Sequence, residues 1–238
     1  MMKKLLIALL FAPLTALASG AAVHLDKVPD VQGNQAALQN GAKLFVTYCL
    51  NCHGASFVRY NRLTELGLSE QEVKDNLMTT ADKIGEPMRV AIRAEEARKW
   101  FGATPPDLTL VTRARASENG PGADWVYTYL RSFYQDEKRP TGWNNTVFEN
   151  VGMPHILYEL QGTQVLNHET HQLELVTPGK MTPSEYDESI RDLVGFLVWM
   201  GEPGAGHRKS LGFAVLAFLL VLFGVAYALK KEFWKDIH

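Results

Sequence analysis

The sequence has only two cysteines in 238 residues, Cys49 and Cys52. Two thiols are too few for a disulfide framework, an all-cysteine zinc site or an iron–sulfur cluster. A dominant charge is missing too: 24 Lys and Arg stand against 26 Asp and Glu, a net −2, so no basic surface for nucleic acid is advertised. Gly and Pro, at 19 and 11, are too scarce for a collagen-like or linker chain. With 46% hydrophobic residues the chain is not of the disordered class. Neither repeats nor low-complexity tracts occur. A mean hydropathy of −0.11 excludes a polytopic membrane protein. That average dilutes two apolar segments, one at each end.

Residues 1–18 read as a secretory signal. Lys3 and Lys4 form its positive start, residues 5–12 its apolar centre, and Ala16-Leu17-Ala18 a cleavage signal. The apolar centre is too short to span a bilayer, and Pro13 interrupts it. At the other end, residues 211–229 carry no charge. As a helix that run is about 28 Å long, close to the thickness of a bilayer core. Arg208 and Lys209 flank one side, and Lys230, Lys231 and Lys235 the other, so flanking charge orients it weakly. The signal sets the orientation instead. The expected organisation is a signal peptide over 1–18, an exported domain over 19–209, a membrane span over 210–229 and a cytoplasmic tail over 230–238. Divided this way, the exported part has 19 basic and 24 acidic residues, or −5, while the tail is +1. A charge of −5 is ordinary for a soluble surface, and its sign suits a cationic partner.

The exported part reads as mainly α-helical. Residues 34–48 look helical, with Ala37, Leu38, Leu44 and Phe45 as the apolar stripe. Ser69 and Glu72 form a possible capping box. Residues 94–101 suggest a further helix, and Pro105-Pro106 stops helical structure. Residues 124–133 read as a helix burying Trp125, Val126, Tyr129, Leu130 and Phe133. Weak alternation around Leu173, Leu175 and Val176 suggests a small hairpin. The clearest helix start is Thr182-Pro183-Ser184-Glu185, which combines a cap, a first-turn proline and a capping box. Tyr186, Ile190, Leu193, Val194 and Leu197 follow at helical spacing, and the helix should end near Gly201.

Cys49-Leu50-Asn51-Cys52-His53 is the C-x-x-C-H signal of covalent haem attachment. Cysteines three apart on a helical turn present both sulfurs to one side, where each can add to a haem vinyl group. The histidine that follows can place a ring nitrogen on the iron from that side. A thioredoxin-like redox pair would not need His53, and no βαβ pattern surrounds the motif. A zinc site would need two further ligands from scattered histidines. The iron's second axial position is open to methionine, histidine or a small ligand. Met200 lies at the membrane-facing end of the last soluble helix; Met78, Met88, Met153 and Met181 remain, as do several histidines, and composition does not choose among them. Met153 is flanked by Gly152 and Pro154, which free a side chain from a regular face.

The sequence resembles the cytochrome c1 family, the haem subunits of the quinol–cytochrome c oxidoreductase (cytochrome bc1) complex. The resemblance covers nearly the whole mature chain and lies closest to bacterial members. It rests on residues 45–53, on the segment 100–109 containing Pro105-Pro106-Asp107-Leu108, and on Arg113-Ala114-Arg115. It continues through Gly122-Ala123-Asp124-Trp125, Arg139-Pro140-Thr141-Gly142-Trp143-Asn144-Asn145, Gly152-Met153-Pro154-His155 and the single C-terminal anchor.

The resemblance implies a class I-like cytochrome c haem domain with extra loops and a small hairpin, plus one C-terminal transmembrane helix. It implies one covalent haem c held by Cys49 and Cys52, with His53 and Met153 as axial ligands. Arg115 matches a basic residue near the haem propionates, and Pro105 and Pro106 a segment packed against the haem. His155, two residues after Met153, reads as structural or surface. The extra cysteine pair of some bacterial members is absent. The function implied is a one-electron relay from a Rieske iron–sulfur protein to a soluble or membrane-bound c-type cytochrome. Such a subunit is not catalytic alone. Its other partners are cytochrome b and membrane lipid, in a dimeric multi-subunit complex of the bacterial inner membrane with the haem domain in the periplasm. The rival readings are a stand-alone anchored electron shuttle, a haem enzyme with an open iron site, and a membrane-tethered zinc or interaction domain.

Overall fold

A computed structural model describes residues 23–236. The signal segment expected over 1–18 lies outside the described residues. About 47% of the structure is helical. The core is built where two helices cross. Helix α1, Gln35–Leu44, begins at Asn34, whose side chain accepts from the Ala37 backbone at 3.2 Å. It buries Ala37, Leu38, Gly41 and Ala42. The coil then widens into a π-helical turn, Phe45–Cys49, in which the Leu50 N–H bonds to the Phe45 carbonyl at 3.0 Å. The helix expected over 34–48 is therefore present, but its last turn is the wide one.

The partner of α1 comes late in the chain, so the crossing brings together residues about 150 positions apart. We label the intervening elements in chain order: β1 Ala55–Arg59, α2 Glu70–Asn76, β2 Pro87–Met88, α3 Ala94–Phe101 and α4 Val111–Ala114. They continue as α5 Gly122–Arg131, β3 Phe133–Gln135, β4 Trp143–Asn145, α6 Tyr158–Gln161, β5 Gly162–Asn167 and β6 Gln172–Pro178. Helix α7, Pro183–Gly201, starts with the expected capping box: the Glu185 carboxylate accepts from Thr182 N at 2.8 Å, and Thr182 Oγ1 from Glu185 N at 3.4 Å. Ser69 and Glu72 cap α2 in the same way. Besides the expected stripe, α7 buries Phe196, Trp199 and Met200, because its second half is covered on more than one side.

Gly41 sets the separation at the crossing. A Cβ there would lie 2.1 Å from the Asp192 carbonyl oxygen and 2.7 Å from Phe196 Cβ. Gly195 of α7 is as tight, its virtual Cβ 2.2 Å from Val31. Close approach lets Phe45 meet Phe196 with ring centroids 5.7 Å apart.

Helix α5 packs on α7 and is pinned to it by polar contacts. Tyr186 Oη donates to the Leu130 carbonyl at 2.8 Å. Arg131 grips both carboxylate oxygens of Asp187, at 2.5 and 2.9 Å, and reaches Asp26 at 2.6 Å. The helix runs two residues earlier than expected at each end, because the chain turns into β3 at Phe133. The strands form three separate antiparallel pairs, β1–β2, β3–β4 and β5–β6, the last being the expected hairpin.

Three residues after α7 the chain enters α8, Ala205–Phe233. Its stretch Ser210–Phe233 holds an 18-residue window with a mean hydropathy of 2.5, and that window is not covered by the rest of the chain. Twenty-four residues make a helix of about 36 Å, enough to cross a bilayer with some tilt.

Gly41→Ala should destabilise the domain by about 1–3 kcal/mol, the usual cost of overpacking a close contact. Thermal melting of the detergent-solubilised chain, followed by circular dichroism, reads this as a lowered midpoint. An unchanged midpoint would mean that α1 and α7 have room to spare.

Candidate haem-binding site

The π-helical turn delivers Cys49 to the end of α1. Cys52 N and His53 N both bond to the Cys49 carbonyl, at 3.0 and 2.7 Å, so residues 49–53 form a tight turn. The two cysteines are not joined to each other in a disulfide. In the polypeptide before any haem is attached, burial, helped by the neighbouring Cys52, pushes the Cys49 thiol up to about 12. His53 Nδ1 lies 2.8 Å from the Pro106 carbonyl oxygen. A carbonyl only accepts, so Nδ1 carries the proton and the lone pair sits on Nε2. Burial pulls the imidazole below its ordinary value, against the opposing effects of the Pro106 bond and Asp107. The ring is therefore neutral and available as a ligand.

Three contacts hold the segment around Pro105-Pro106 against the cysteine turn. Besides the His53 bond, Leu108 N donates to Gly54 O at 2.8 Å, and Ser56 N to an Asp107 carboxylate oxygen at 2.8 Å. The other Asp107 oxygen accepts from Thr109 N and Oγ1, at 2.9 and 2.5 Å. Partial burial alone would raise the Asp107 carboxyl. The Thr109 and Ser56 hydrogen bonds outweigh it and hold the group below the ordinary range.

Met153 approaches the same cavity from a loop without regular structure. The loop is braced by the segment just before it in sequence. Arg139 donates to Asn150 Oδ1 and to the Asn150 carbonyl, at 3.0 and 2.9 Å. Asn144 Oδ1 accepts from Asn150 N at 2.8 Å, and Asn145 Oδ1 from Val147 N and Phe148 N at 2.9 and 3.1 Å. Asn145 Nδ2 also ties this region to α5, donating to the Tyr129 carbonyl at 2.8 Å. The sulfur of Met153 accepts from Tyr129 Oη at 3.4 Å. Burial pushes the Tyr129 phenol up, so it remains a donor.

These pieces enclose a cavity of about 360 Å³. Cys49, Cys52, His53, Pro105, Pro106, Arg115 and Met153 all line it. The other four methionines of the expected exported part do not. Met88 and Met200 are buried in the core, and Met78 and Met181 pack against it. The Arg115 guanidinium lies over the ring of Trp125, 4.4 Å from its centroid, and 5.7 Å from that of Phe148. It forms no ion pair among the described residues. His155 is not part of the lining. It is 3% exposed and stacks on Phe133, with centroids 4.8 Å apart and planes 7° from parallel. Burial drives its imidazole down to about 4, so it is neutral and structural.

The donor set fits a haem. Two thiols share one turn, an imidazole nitrogen and a thioether sulfur reach one cavity, the walls are apolar, and a guanidinium without an ion-pair partner sits at the lining. Asp107 and Tyr129 were missed as site residues in the sequence. The Asp-x-Thr spacing of residues 107–109 signals a local turn, but nothing in it foretells the reach to Ser56. Tyr129 reads as an ordinary core position of an amphipathic helix.

A model of the cytochrome C1 family matches residues 31–237. Over 238 residues the chain is 50% identical to a Nitrosomonas europaea protein named ammonia monooxygenase gamma subunit, spanning all of this chain and 99% of that one. It is 46% identical to cytochrome c1 of Allochromatium vinosum over 250 residues, all of both chains. It is 29% identical to cytochrome c1 of Rhodospirillum rubrum, over 86% of this chain and 83% of that one.

Asp107→Ala should cost about 1–3 kcal/mol, because it strands the donors that Ser56 and Thr109 direct at it. The carboxyl has a lower pKa folded than unfolded. Its stabilisation is complete above about pH 4 and is lost as the pH falls through the depressed folded value. Denaturant midpoints measured against pH should therefore converge for wild type and variant in acid. A constant gap down to the lowest pH would remove the carboxylate from this account.

Proposed function

Because this chain belongs to the cytochrome c1 family, we propose that Cys49 and Cys52 form the thioether links to its haem and that His53 and Met153 are the axial ligands. Family membership supplies the frame. The chain carries one covalently attached haem c. It is a membrane-anchored c-type cytochrome of the cytochrome bc1 complex, alongside cytochrome b and a Rieske protein. Its part there is to relay electrons from the Rieske protein to cytochrome c.

One observation carries the ligand assignment: of the five methionines in the expected exported part, only Met153 lines the cavity that also holds Cys49, Cys52 and His53. When bound, the haem supplies a one-electron ferric–ferrous couple. The chain's own residues do the rest. Pro106 fixes the His53 tautomer and aims Nε2 away from the backbone. Arg115 offers a charge-assisted partner to the propionates, with Trp125 and Phe148 holding its guanidinium in place. Pro105, Pro106, Leu108, Val126 and Leu197 keep water out of the cavity. Two protein ligands leave no open position for a substrate, which favours a relay over a haem enzyme.

The reading extends to topology and partners. Residues 1–18 are the signal peptide, 19–209 the haem domain in the periplasm, 210–229 the span and 230–238 the cytoplasmic tail of an inner-membrane protein. The acceptor is a soluble or membrane-bound c-type cytochrome, and the assembly is dimeric and in contact with lipid. The long uncovered apolar face of α8 supports an anchor that packs against lipid and a membrane subunit. The name of the Nitrosomonas relative suggests an oxygenase subunit. The family model spans residues 31–237 of this chain and names a cytochrome instead. The haem-attachment turn and the family model together carry the assignment.

Mild-detergent purification from the native membrane should yield low-spin haem c together with cytochrome b and a Rieske protein. Recovery as a lone subunit would favour a stand-alone shuttle. Met153→Leu should lower the reduction potential and disturb the low-spin state. A spectrum unaffected by that change would remove Met153 as a ligand, and ready cyanide binding by the unmutated protein would favour an open iron site.

A further inference from the structure

Tyr129 is held from three directions. Its ring stacks on Trp125, with centroids 4.9 Å apart and planes 12° from parallel. On the other side along the helix it meets Phe133 edge-on at 5.0 Å. Phe133 is itself buried and stacked on His155. The Tyr129 carbonyl accepts from Asn145, whose other amide atom caps the loop that leads to Met153. The ring therefore cannot swing without breaking two aromatic contacts, and its helix and the methionine loop share one polar tie.

The hydroxyl at the end of this ring donates to Met153 Sδ at 3.4 Å. A thioether sulfur is a weak acceptor. It has two lone pairs, and a metal uses only one of them. A hydrogen bond to the second pair draws electron density from the sulfur and makes it a poorer donor. A poorer donor stabilises ferric iron less than ferrous iron, which raises the reduction potential.

We propose that Tyr129 is a positioning residue for the relay, its hydroxyl orienting the Met153 thioether and holding the reduction potential up. The inference rests on Met153 being the second axial ligand. It goes further by assigning a role to a residue outside the attachment motif and the ligand pair.

The test uses Tyr129→Phe in the full-length chain within its native membrane complex. This variant keeps the ring and its stacking and removes only the hydroxyl. Two readouts matter: the sulfur-to-iron charge-transfer band of the oxidised protein and the midpoint potential from an equilibrium redox titration. The band and the low-spin state should remain. The redox equilibrium should shift toward the oxidised form by about three- to tenfold, equivalent to ~28 to ~59 mV for a one-electron couple. Tyr127→Phe, on the same helix but placed against Arg131, should leave the potential unchanged. An unchanged potential in Tyr129→Phe with the band intact would overturn the proposal. So would an equal shift in Tyr127→Phe, which would mean that the helix rather than the hydroxyl is responsible. Failure of the ligand reading shows up separately, as a charge-transfer band that survives Met153→Leu.

Discussion

The site depends on one hydrogen bond, from His53 Nδ1 to the carbonyl of Pro106. It sets the imidazole tautomer and joins the cysteine turn to a segment about fifty residues away. A lone bond at a partly exposed position contributes only about 1 kcal/mol. It gains its authority from the contacts beside it. Gly54 with Leu108, and Ser56 with Asp107, keep the two segments in register, so the histidine is aimed by a small lattice of bonds. Proline suits the acceptor position. It has no N–H to satisfy, and its fixed φ leaves the backbone there one fewer way to rearrange.

The opposite wall is built differently. No helix or strand delivers Met153. Its loop is shaped by buried amides from the segment 139–145 and by an aromatic column that runs from Trp125 through Tyr129 and Phe133 to His155. One wall is thus fixed by backbone bonds near the attachment turn, and the other by side chains gathered from three parts of the chain. The crossing of α1 and α7 at Gly41 carries both, because the π-helical turn continues α1, and Leu193 and Leu197 of α7 line the cavity floor.

What the sequence made legible was local. The C-x-x-C-H turn, the two capping boxes, the helix over 94–101 and the terminal apolar helix each declare themselves within a few residues, and each has its counterpart in the structure. What stayed hidden was tertiary. Only its Gly and Pro neighbours and the family resemblance set Met153 apart, until packing placed Met88 and Met200 in the core and Met78 and Met181 against it. The segment 139–145 stood out through family resemblance, yet its work, holding the Met153 loop through Asn150, shows only in three dimensions. His155 could be placed as structural or surface, and only the fold shows its burial against Phe133. The widening of α1 at residues 45–49 leaves no mark in the apolar periodicity.

Only Glu202, Pro203 and Gly204 separate the last helix of the haem domain from the helix that anchors it. Three extended residues span about 10 Å. Glu202 is also paired with Arg113 on one side and Arg208 on the other, which shortens the slack further. A carrier on so short a tether can neither tumble freely nor travel to meet its reaction partners. Its search volume is nearly nil, so the burden of motion falls on the molecules that bring and collect the charge.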